Sequence, residues 1–236
     1  LGWEEKKEWN LGVDYSFFEG RLYGKFDYYR REVDNLLFSV KVPQPPYTQG
    51  SQMQNIGSME SKGWEFEVGG DIIRTKDFTW SSSMNLSHNT GKILTLEGDN
   101  SYHNGNGFVA PGTPGDAARM EAGSTIGSFY MWKFAGFDDE GSFLLYNKDG
   151  EVIPAAQKTE NDKQYIGNYT PKLIIGWSHT LTYKNFDLGI NLRSWIDFDV
   201  YNTINMYYGI QGQGNLNVLK DAYGKFNHIK GEKQIC

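Results

Sequence analysis

The sequence predicts an all-β fold, an antiparallel transmembrane β-barrel wall with about eight strands in this chain. Three observations predict it: long segments of apolar–polar alternation, short connections that alternate with long ones, and many aromatic and glycine residues. Phe, Trp and Tyr make up 15% of the 236 residues, and 28 residues are Gly. Because barrel strands alternate between lipid and lumen, the mean hydropathy stays low, here −0.58.

The alternation defines the strands in chain order. In the first, Trp9, Leu11 and Val13 share one face, while Asn10 and Asp14 share the other. The predicted strands are 9–17, 22–30, 64–72, 78–86, 125–134, 173–183 and 186–198, each antiparallel and paired with its neighbours in sequence, with a short eighth strand from Phe143 to Tyr146. The seven longer ones reach the ~9–11 residues that a tilted strand needs to cross a bilayer, whereas soluble strands average ~5–6 residues.

The connections between these strands alternate in length. The short ones lie at 19–21, 75–77 and 184–185, with a fourth at 138–141, and the long ones at 33–61, 90–124, 148–171 and after 199. Tight turns at one end and long loops at the other are typical of outer-membrane barrels.

Alternate residues of a strand point to opposite faces, so each predicted strand has two sets of residues, here called its two parities. The two parities differ in composition, which predicts two environments. The parity with Val13, Phe66 and Ile190 carries no Asp, Glu or Lys within its segments, and we expect it to face lipid. The opposite parity carries charges such as Asp14 and Glu67, and we expect it to face a lumen. A Lys or Arg at the bilayer midplane costs ~2–4 kcal/mol on a lipid-facing strand, which explains the separation.

Charge and cysteine content narrow the function classes. The net charge of −6 argues against a nucleic-acid partner, which needs a basic face. Cys236 is the one cysteine, so a disulfide or a Cys-based zinc site within the chain is excluded. The chain begins at Leu1 without a signal peptide, and we expect a cut inside a longer protein.

Catalytic motifs are absent from the sequence. The four histidines are scattered, and no zinc-protease, serine-hydrolase or phosphate-loop pattern occurs. Glu65 and Glu67 share one strand face, where a water-facing lumen surface explains them better than an acid–base pair. We therefore expect no enzyme, no catalytic residue and no cofactor.

Three stretches of the chain carry a family resemblance. They are Trp9–Leu37, Asn55–Ile93 and Tyr165–Asn202, which together resemble the SusC/RagA family of TonB-dependent outer-membrane transporters of the Bacteroidetes. The motif residues include Asn55, Gly57, Met59, Lys62, Gly63, Trp64 and Glu65, then Ile166, Gly167, Asn168, Pro171 and Lys172, and the turn from Tyr183 to Leu188.

The resemblance implies a larger assembly. Residues 1–236 would be part of a 22-stranded barrel in the outer membrane, from which the plug domain and the last strands are absent. The whole protein would import oligosaccharides or peptides with a SusD-like surface lipoprotein, and it would be driven by TonB through the absent N-terminal region. We expect this piece to form an open sheet with two free edges.

Four groups of residues are candidates for special roles. Tyr102, His103, Asn104, Asn106 and Phe108 combine rings and amides that suit a glycan or peptide, although an ordinary exposed loop explains them too, as it does Tyr207, Tyr208 and Gln211. Trp3, Trp9, Trp64, Trp80 and Tyr130 are candidates for the aromatic girdles. Asp138, Asp139, Asn147, Asp149, Gly150 and Asp162 suggest a structural calcium site, but their spacing is not that of an EF-hand, and a hairpin turn is favoured.

Two other architectures stay open at this point. A small closed barrel of about eight strands with a structural or adhesion role would need its first and last strands to pair. A soluble β-sandwich that binds carbohydrate would bury the apolar parity between two sheets.

Overall fold

The computed structural model describes residues 1–96, 102–104, 117–209, 217–220, 227–229 and 233–235. The chain divides into two compact units. The wall unit comprises Leu1–Tyr102, Glu121–Ile126 and Thr170–Asp199, and the loop unit comprises His103–Met120, Gly127–Tyr169 and Val200–Cys236.

Strands dominate the described residues. They are β1 Glu5–Phe17, β2 Leu22–Lys41, β3 Ser51–Arg74, β4 Phe78–Leu96, β5 Tyr102–Asn104, β6 Arg119–Glu121, β7 Ser128–Phe137, β8 Phe143–Tyr146, β9 Val152–Pro154, β10 Lys163–Asn168, β11 Leu173–Tyr183, β12 Phe186–Ile196, β13 Asn227–Ile229 and β14 Lys233–Ile235. The helical elements are the 3-10 turns Ala155–Gln157 and Glu160–Asp162 and the helix α1 Thr203–Tyr208. In the described ranges no helix is both long and apolar enough to cross a membrane.

The wall unit is built on one antiparallel sheet, here the wall sheet. Its strand order is β1-β2-β3-β4-β11-β12. In the described part of the chain β1 pairs with β2 alone and β12 with β11 alone, so the two lie at opposite edges. The expectation of an open sheet is confirmed, and the residues that the structure describes do not join those edges into a small closed barrel.

Tight turns join the wall strands at one end of the sheet, which we call the turn end. Phe18, Glu19 and Gly20 all have positive φ, and the amide of Arg21 donates to the carbonyl of Phe18 at 3.2 Å. Two residues connect β11 to β12, and Lys184 has a φ of 53°. A primed two-residue turn of this kind matches the twist of a hairpin. The predicted short connections at 19–21, 75–77 and 184–185 are confirmed.

The prediction of a long loop over 33–61 is wrong. β2 continues to Lys41 and β3 starts at Ser51, and β4 likewise runs on to Leu96 inside the predicted loop 90–124. The alternation is lost after residue 33 because a bulge at Asn35, with a φ of 58°, shifts the pairing. The side-chain amide of Asn55 donates to the Asn35 carbonyl at 2.6 Å and supports that bulge.

The placement of 125–134 beside the other long strands is also wrong. The segment forms β7, which pairs with β10 and β8 in a separate four-stranded sheet of the loop unit, ordered β10-β7-β8-β9. In the wall sheet β4 pairs directly with β11. All eight predicted segments are therefore strands, but six of them build the wall sheet and two build this second sheet, the loop sheet.

Buried apolar residues of the wall unit lie at the end opposite the turns, here the far end. They are Val40, Ile93 and Leu96. The Ile93 amide donates to the Ser124 carbonyl at 3.0 Å, and the Gly123 amide donates to the Ile93 carbonyl at 2.8 Å.

Candidate functional site: the two faces of the wall sheet

One face of the wall sheet, the apolar face, is continuous across strands. Val13, Phe26, Phe66, Leu86 and Ile175 lie directly opposite one another in successive strands. Residues that are opposite in an antiparallel sheet point to the same side, so these form one apolar row. Val13 is 56% exposed, so the row is not covered there by a second sheet. The soluble sandwich, which would bury this face, is not the architecture of the wall unit.

Aromatic rings border the apolar face towards the far end. Trp64 lies opposite Tyr28 and His88 in the neighbouring strands, and the rings of Trp9 and Tyr28 are 5.4 Å apart. Such a row suits a membrane interface because an indole or phenol has an apolar ring and a polar group.

A second aromatic border lies at the turn end. Tyr183 is opposite Phe78 and Phe186, and Trp80 lies on the next row towards the far end. Of the predicted girdle residues, Trp9, Trp64 and Trp80 thus lie on the two borders. Trp3 precedes β1 and is 92% exposed, and Tyr130 belongs to the loop sheet, where it stacks with Tyr165 at 5.1 Å.

Beyond the far-end aromatic row, the same face becomes charged. Arg30 lies opposite Lys62, and on the next row Glu32 lies opposite Glu60. The Glu60 carboxylate is 2.7 Å from Arg30 and 3.5 Å from Lys62, and only 9% of the residue is exposed. The apolar character therefore ends at the aromatic row although the strands continue.

The opposite face, the polar face, carries charges along its whole extent. Asp14, Lys25, Glu67 and Asn85 form one cross-strand row, and Arg193 extends it onto β12. Lys25 and Glu67 are 3.7 Å apart. The row holds both signs of charge, which suits a wet surface that contacts polar solutes or other protein.

Two tyrosines lie over strand glycines on the polar face. A Cβ on Gly63 would lie 2.7 Å from the Tyr29 hydroxyl, and one on Gly69 would lie 2.7 Å from the Tyr23 ring. An aromatic ring that covers a glycine fills the gap left by the missing side chain. The sequence pattern did not predict these pairs, although glycines inside long strands signal a close approach of another group.

The first family motif surrounds the bulge. Asn55 accepts a bond from the Gly2 amide at 2.7 Å and donates to the Gly2 carbonyl at 3.1 Å, which ties the segment before β1 to β3. Gly57 leaves room for the Phe38 ring, 3.0 Å from where a Cβ would be. Trp64 lies on the apolar face and Glu65 on the polar face.

The second family motif closes β10 and opens β11. Gly167 lies where the β10–β7 register shifts, and the Asn168 amide donates to the Ser128 hydroxyl at 3.1 Å. Lys172, which follows Pro171, donates to Asp197, and this hydrogen bond raises the pKa of the Lys172 amine. The Lys172 amide also donates to the Ile196 carbonyl at 3.0 Å, which holds the residue before β11 against the end of β12.

The candidate substrate-contacting loop lies mostly outside the described residues. Tyr102, His103 and Asn104 form β5, and nothing is described of their side chains, while Asn106 and Phe108 are outside the described ranges, as is Gln211. Tyr207 and Tyr208 fall in α1.

The candidate calcium residues of the loop unit bond to their own turns. Asp138 accepts from the amides of Glu140 and Ser142, and Asn147 accepts from those of Asp149 and Glu151, at 2.8 to 3.0 Å. Across the residues that the structure describes, no group of three or more His, Cys, Asp or Glu could hold a metal ion. The hairpin-turn interpretation explains these side chains, and a calcium site stays a prediction.

Asp162 holds two segments of the loop unit together. Its carboxylate accepts from the hydroxyl and the amide of Thr159 at 2.7 and 2.8 Å, and from the amide of Lys148 at 3.2 Å. These hydrogen bonds, the Thr159 hydroxyl first, lower the pKa of Asp162.

A family model described as "TonB dependent receptor-like, beta-barrel" matches residues 1–216. The chain belongs to this family. TonB-dependent receptor P3 of Formosa agariphila is 32% identical over 96% of the chain, and TonB-dependent receptor SusC of Bacteroides thetaiotaomicron is 32% identical over 85%. The resemblance of the chain to the SusC/RagA family is thereby confirmed, as are the barrel fold and the outer-membrane location of the chain.

Solved structures of the family match the fold. The RagAB peptide importer in its "open-open" state is similar with a TM-score of 0.70 over 84% of the chain, at 26% identity. The RagAB peptide transporter structure gives a TM-score of 0.68 over 82%, at 27% identity. The chain spans only 24% of receptor P3, 20% of SusC and 21% of the matched RagAB chains.

Proposed function

We propose that this chain forms part of the barrel wall of a longer nutrient importer that takes up oligosaccharides or peptides across the outer membrane. The observation that carries the proposal is the wall sheet, whose apolar face is exposed between two aromatic borders and whose opposite face is charged. Its similarity to SusC and to the RagAB importer supports import as the function. The apolar face would contact lipid, and the polar face would line the lumen.

The partners follow the same proposal. A SusD-like surface lipoprotein would cover the importer, and TonB would drive it through a plug region that lies outside this chain. The residues 102–108 and 207–211 are proposed to contact the glycan or peptide. No chemical step on the substrate is proposed, since the described faces hold ion pairs rather than an assembled acid–base or nucleophile site.

The lipid and lumen assignment has a direct test. Ser83 lies on the polar face, opposite Gly69 and Ser178, whereas Ser194 lies on the apolar face, opposite Ile175. In the whole receptor with its native cysteines replaced, Ser83→Cys should react with a membrane-impermeant maleimide and Ser194→Cys should not. Equal labelling of both positions would contradict the assignment.

Transport has its own test in cells. Deleting the receptor gene should abolish uptake of a fluorescent oligosaccharide or peptide, and the receptor gene on a plasmid should restore it. Restoration should fail in a strain without TonB, and the tagged receptor should co-purify with a lipoprotein. Uptake that persists without the receptor, or that is restored without TonB, would refute the importer.

A further inference from the structure

The apolar face of the wall sheet contains a cavity near the turn end. Its volume is about 640 Å³, within the ~300–1,000 Å³ of typical ligand sites. The apolar walls come from residues of β2, β3, β4 and β11 and the turn before β2. Those that carry the argument are Leu22, Val68, Ile72, Ser82, Met84 and Trp177.

The cavity lies where the middle pair of one cross-strand row has small side chains, between Leu22 on β2 and His179 on β11. Gly70 lies opposite Ser82, between strands whose next row holds Val68 opposite Met84. A Cβ on Gly70 would collide with the Arg21 carbonyl oxygen, so the backbone spacing itself requires glycine there. The gap is therefore part of the strand geometry and not a loose side-chain arrangement.

The polar side chains of Trp177, Ser82 and Asp71 in the lining all have partners. The Trp177 indole N–H donates to the Ser82 hydroxyl at 2.9 Å. Asp71 is the lining residue that carries a carboxylate. This carboxylate accepts from the Ser81 hydroxyl at 2.7 Å and is 3.5 Å from the Arg74 guanidinium. What remains open to a ligand is aliphatic and aromatic surface, which favours a hydrocarbon chain.

One lining residue adds a positive charge. Arg21 lines the cavity from the turn between β1 and β2, and it forms no ion pair with the residues that the structure describes. A guanidinium binds a phosphate group with two parallel hydrogen bonds. Apolar walls that end in an arginine match an amphiphile whose anionic head lies at the membrane surface.

From these observations we infer that the cavity binds one glycerophospholipid of the leaflet nearest the turns, with an acyl chain along Val68 and Met84 and the phosphate on Arg21. The inference rests on the proposed contact of the apolar face with lipid. Bulk lipid surrounds any such face, but a cavity with a cation at its mouth selects one molecule. A flexible acyl chain fills an irregular gap, whereas an unfilled cavity would cost stability.

A filling substitution tests the cavity. Val68→Phe places a ring in it, and Val13→Phe adds the same ring elsewhere on the apolar face. In the whole receptor, washed in detergent and titrated with phosphatidylglycerol, native mass spectrometry should show one tightly bound lipid. We expect Val68→Phe to weaken that binding at least about tenfold because a packed site does not admit both ring and chain, and Val13→Phe to leave it unchanged.

A charge substitution tests the phosphate contact. Arg21→Gln should weaken phosphatidylglycerol binding about tenfold, as expected for the loss of charge-assisted hydrogen bonds. It should leave the binding of a diacylglycerol with the same chains unchanged. Lys184→Gln removes one cation from another turn at the same end of the sheet. It should change the binding of neither phosphatidylglycerol nor diacylglycerol.

Several outcomes would overturn the inference. Equal lipid binding by Val68→Phe and Val13→Phe would show that the cavity holds no lipid. A receptor dimer that Val68→Phe dissociates would identify a protein contact instead. If Arg21→Gln weakened the binding of phosphatidylglycerol and of diacylglycerol equally, recognition of the phosphate by Arg21 would be refuted. Gel mobility before and after heating identifies folded barrels, and the Ser83 and Ser194 labelling reports separately whether the underlying lipid assignment has failed.

Discussion

The wall sheet and the loop sheet are both antiparallel, but different contacts hold them. In the wall sheet, large apolar residues such as Val13 stay exposed on one face, and few residues of the unit are buried. In the loop sheet, side chains bond locally: Trp132 donates to the Thr159 carbonyl at 2.8 Å, and the Lys163 amine lies 4.4 Å from the Trp132 ring. The first sheet needs a medium that covers its apolar face, whereas local contacts within the loop unit hold the second sheet together.

The largest expected effect comes from a charge placed in the apolar face. Leu86→Arg puts a guanidinium opposite Phe66, and we expect it to lower the free energy of unfolding in vesicles by about 2–4 kcal/mol. Denaturant titration of the whole receptor measures this.

Thr90→Arg is the matched control for that prediction. Thr90 is on the same strand and the same face, opposite Lys62 in the charged rows beyond the aromatic border. A surface change there should stay within about 0.5 kcal/mol. If both arginines cost the same, the distinction between an apolar face and charged rows has no energetic meaning.

A smaller effect is expected on the polar face, at Gly63 of β3. Gly63 is covered by the Tyr29 hydroxyl and the His88 carbonyl, so Gly63→Ala overfills the site and should cost about 1–3 kcal/mol. Gly189→Ala meets nothing within 4 Å and should stay within about 0.5 kcal/mol. The same denaturant titration compares them, and a neutral Gly63→Ala would show that both the tyrosine and the neighbouring strand at His88 shift freely.

The sequence predicted the parts of both sheets where alternation is unbroken. β8 and β11 have the predicted bounds, and the three tight turns are where short polar stretches lie. The far halves of β2 and β3 were missed because the bulge at Asn35 inverts the parity and charged pairs replace apolar ones. The position of β7 was missed because alternation shows only that a segment is a strand with two different faces. It does not show which strands pair with that segment or to which sheet it belongs.

The candidate site was predictable to a similar degree. The two faces follow from parity alone, and so does the position of Glu65 and Glu67. The cavity does not, because it depends on Gly70 lying opposite Ser82, and this register is set by pairing across two strands. The tyrosine–glycine pairs likewise join residues about 34 to 46 positions apart, a separation that no local pattern encodes.

Ion pairs in the charged rows should contribute less than the apolar face does. Glu60 is nearly buried between Arg30 and Lys62, so Glu60→Gln should cost about 1–2 kcal/mol. Glu32 is more exposed and pairs with Arg30 alone among the described residues, so Glu32→Gln should stay within about 0.5 kcal/mol. Unfolding titrations at low and high salt compare them, and equal costs would mean that burial of Glu60 is irrelevant.

The smallest expected effect is a local one in the loop unit, and it depends on pH. Asp162 joins the 147–151 turn to the 159–162 turn through three hydrogen bonds to its carboxylate. Its pKa is lowered from an ordinary 3.8. A lowered pKa means that the folded state favours the charged form, so the carboxylate stabilises the unit above that ordinary value, and this contribution is lost as the pH falls through the lowered pKa.

Hydrogen exchange of residues 147–162 reports this contribution directly. After correction for intrinsic exchange rates, protection should be constant from pH 7 to about 5 and should decline below about pH 4. Asp162→Asn should be less protected at pH 7, because a neutral amide is a weaker acceptor and its NH₂ faces the Thr159 amide, and it should lack the acid-dependent decline. Wall-sheet peptides around Leu86 should not follow this pH profile, since the cross-strand row of Phe66, Leu86 and Ile175 holds no carboxylate. If protection in Asp162→Asn declined with acid in the same way, the acid sensitivity would belong to another carboxylate. If protection of the wall-sheet peptides declined at the same time, the two sheets would not differ in what stabilises them.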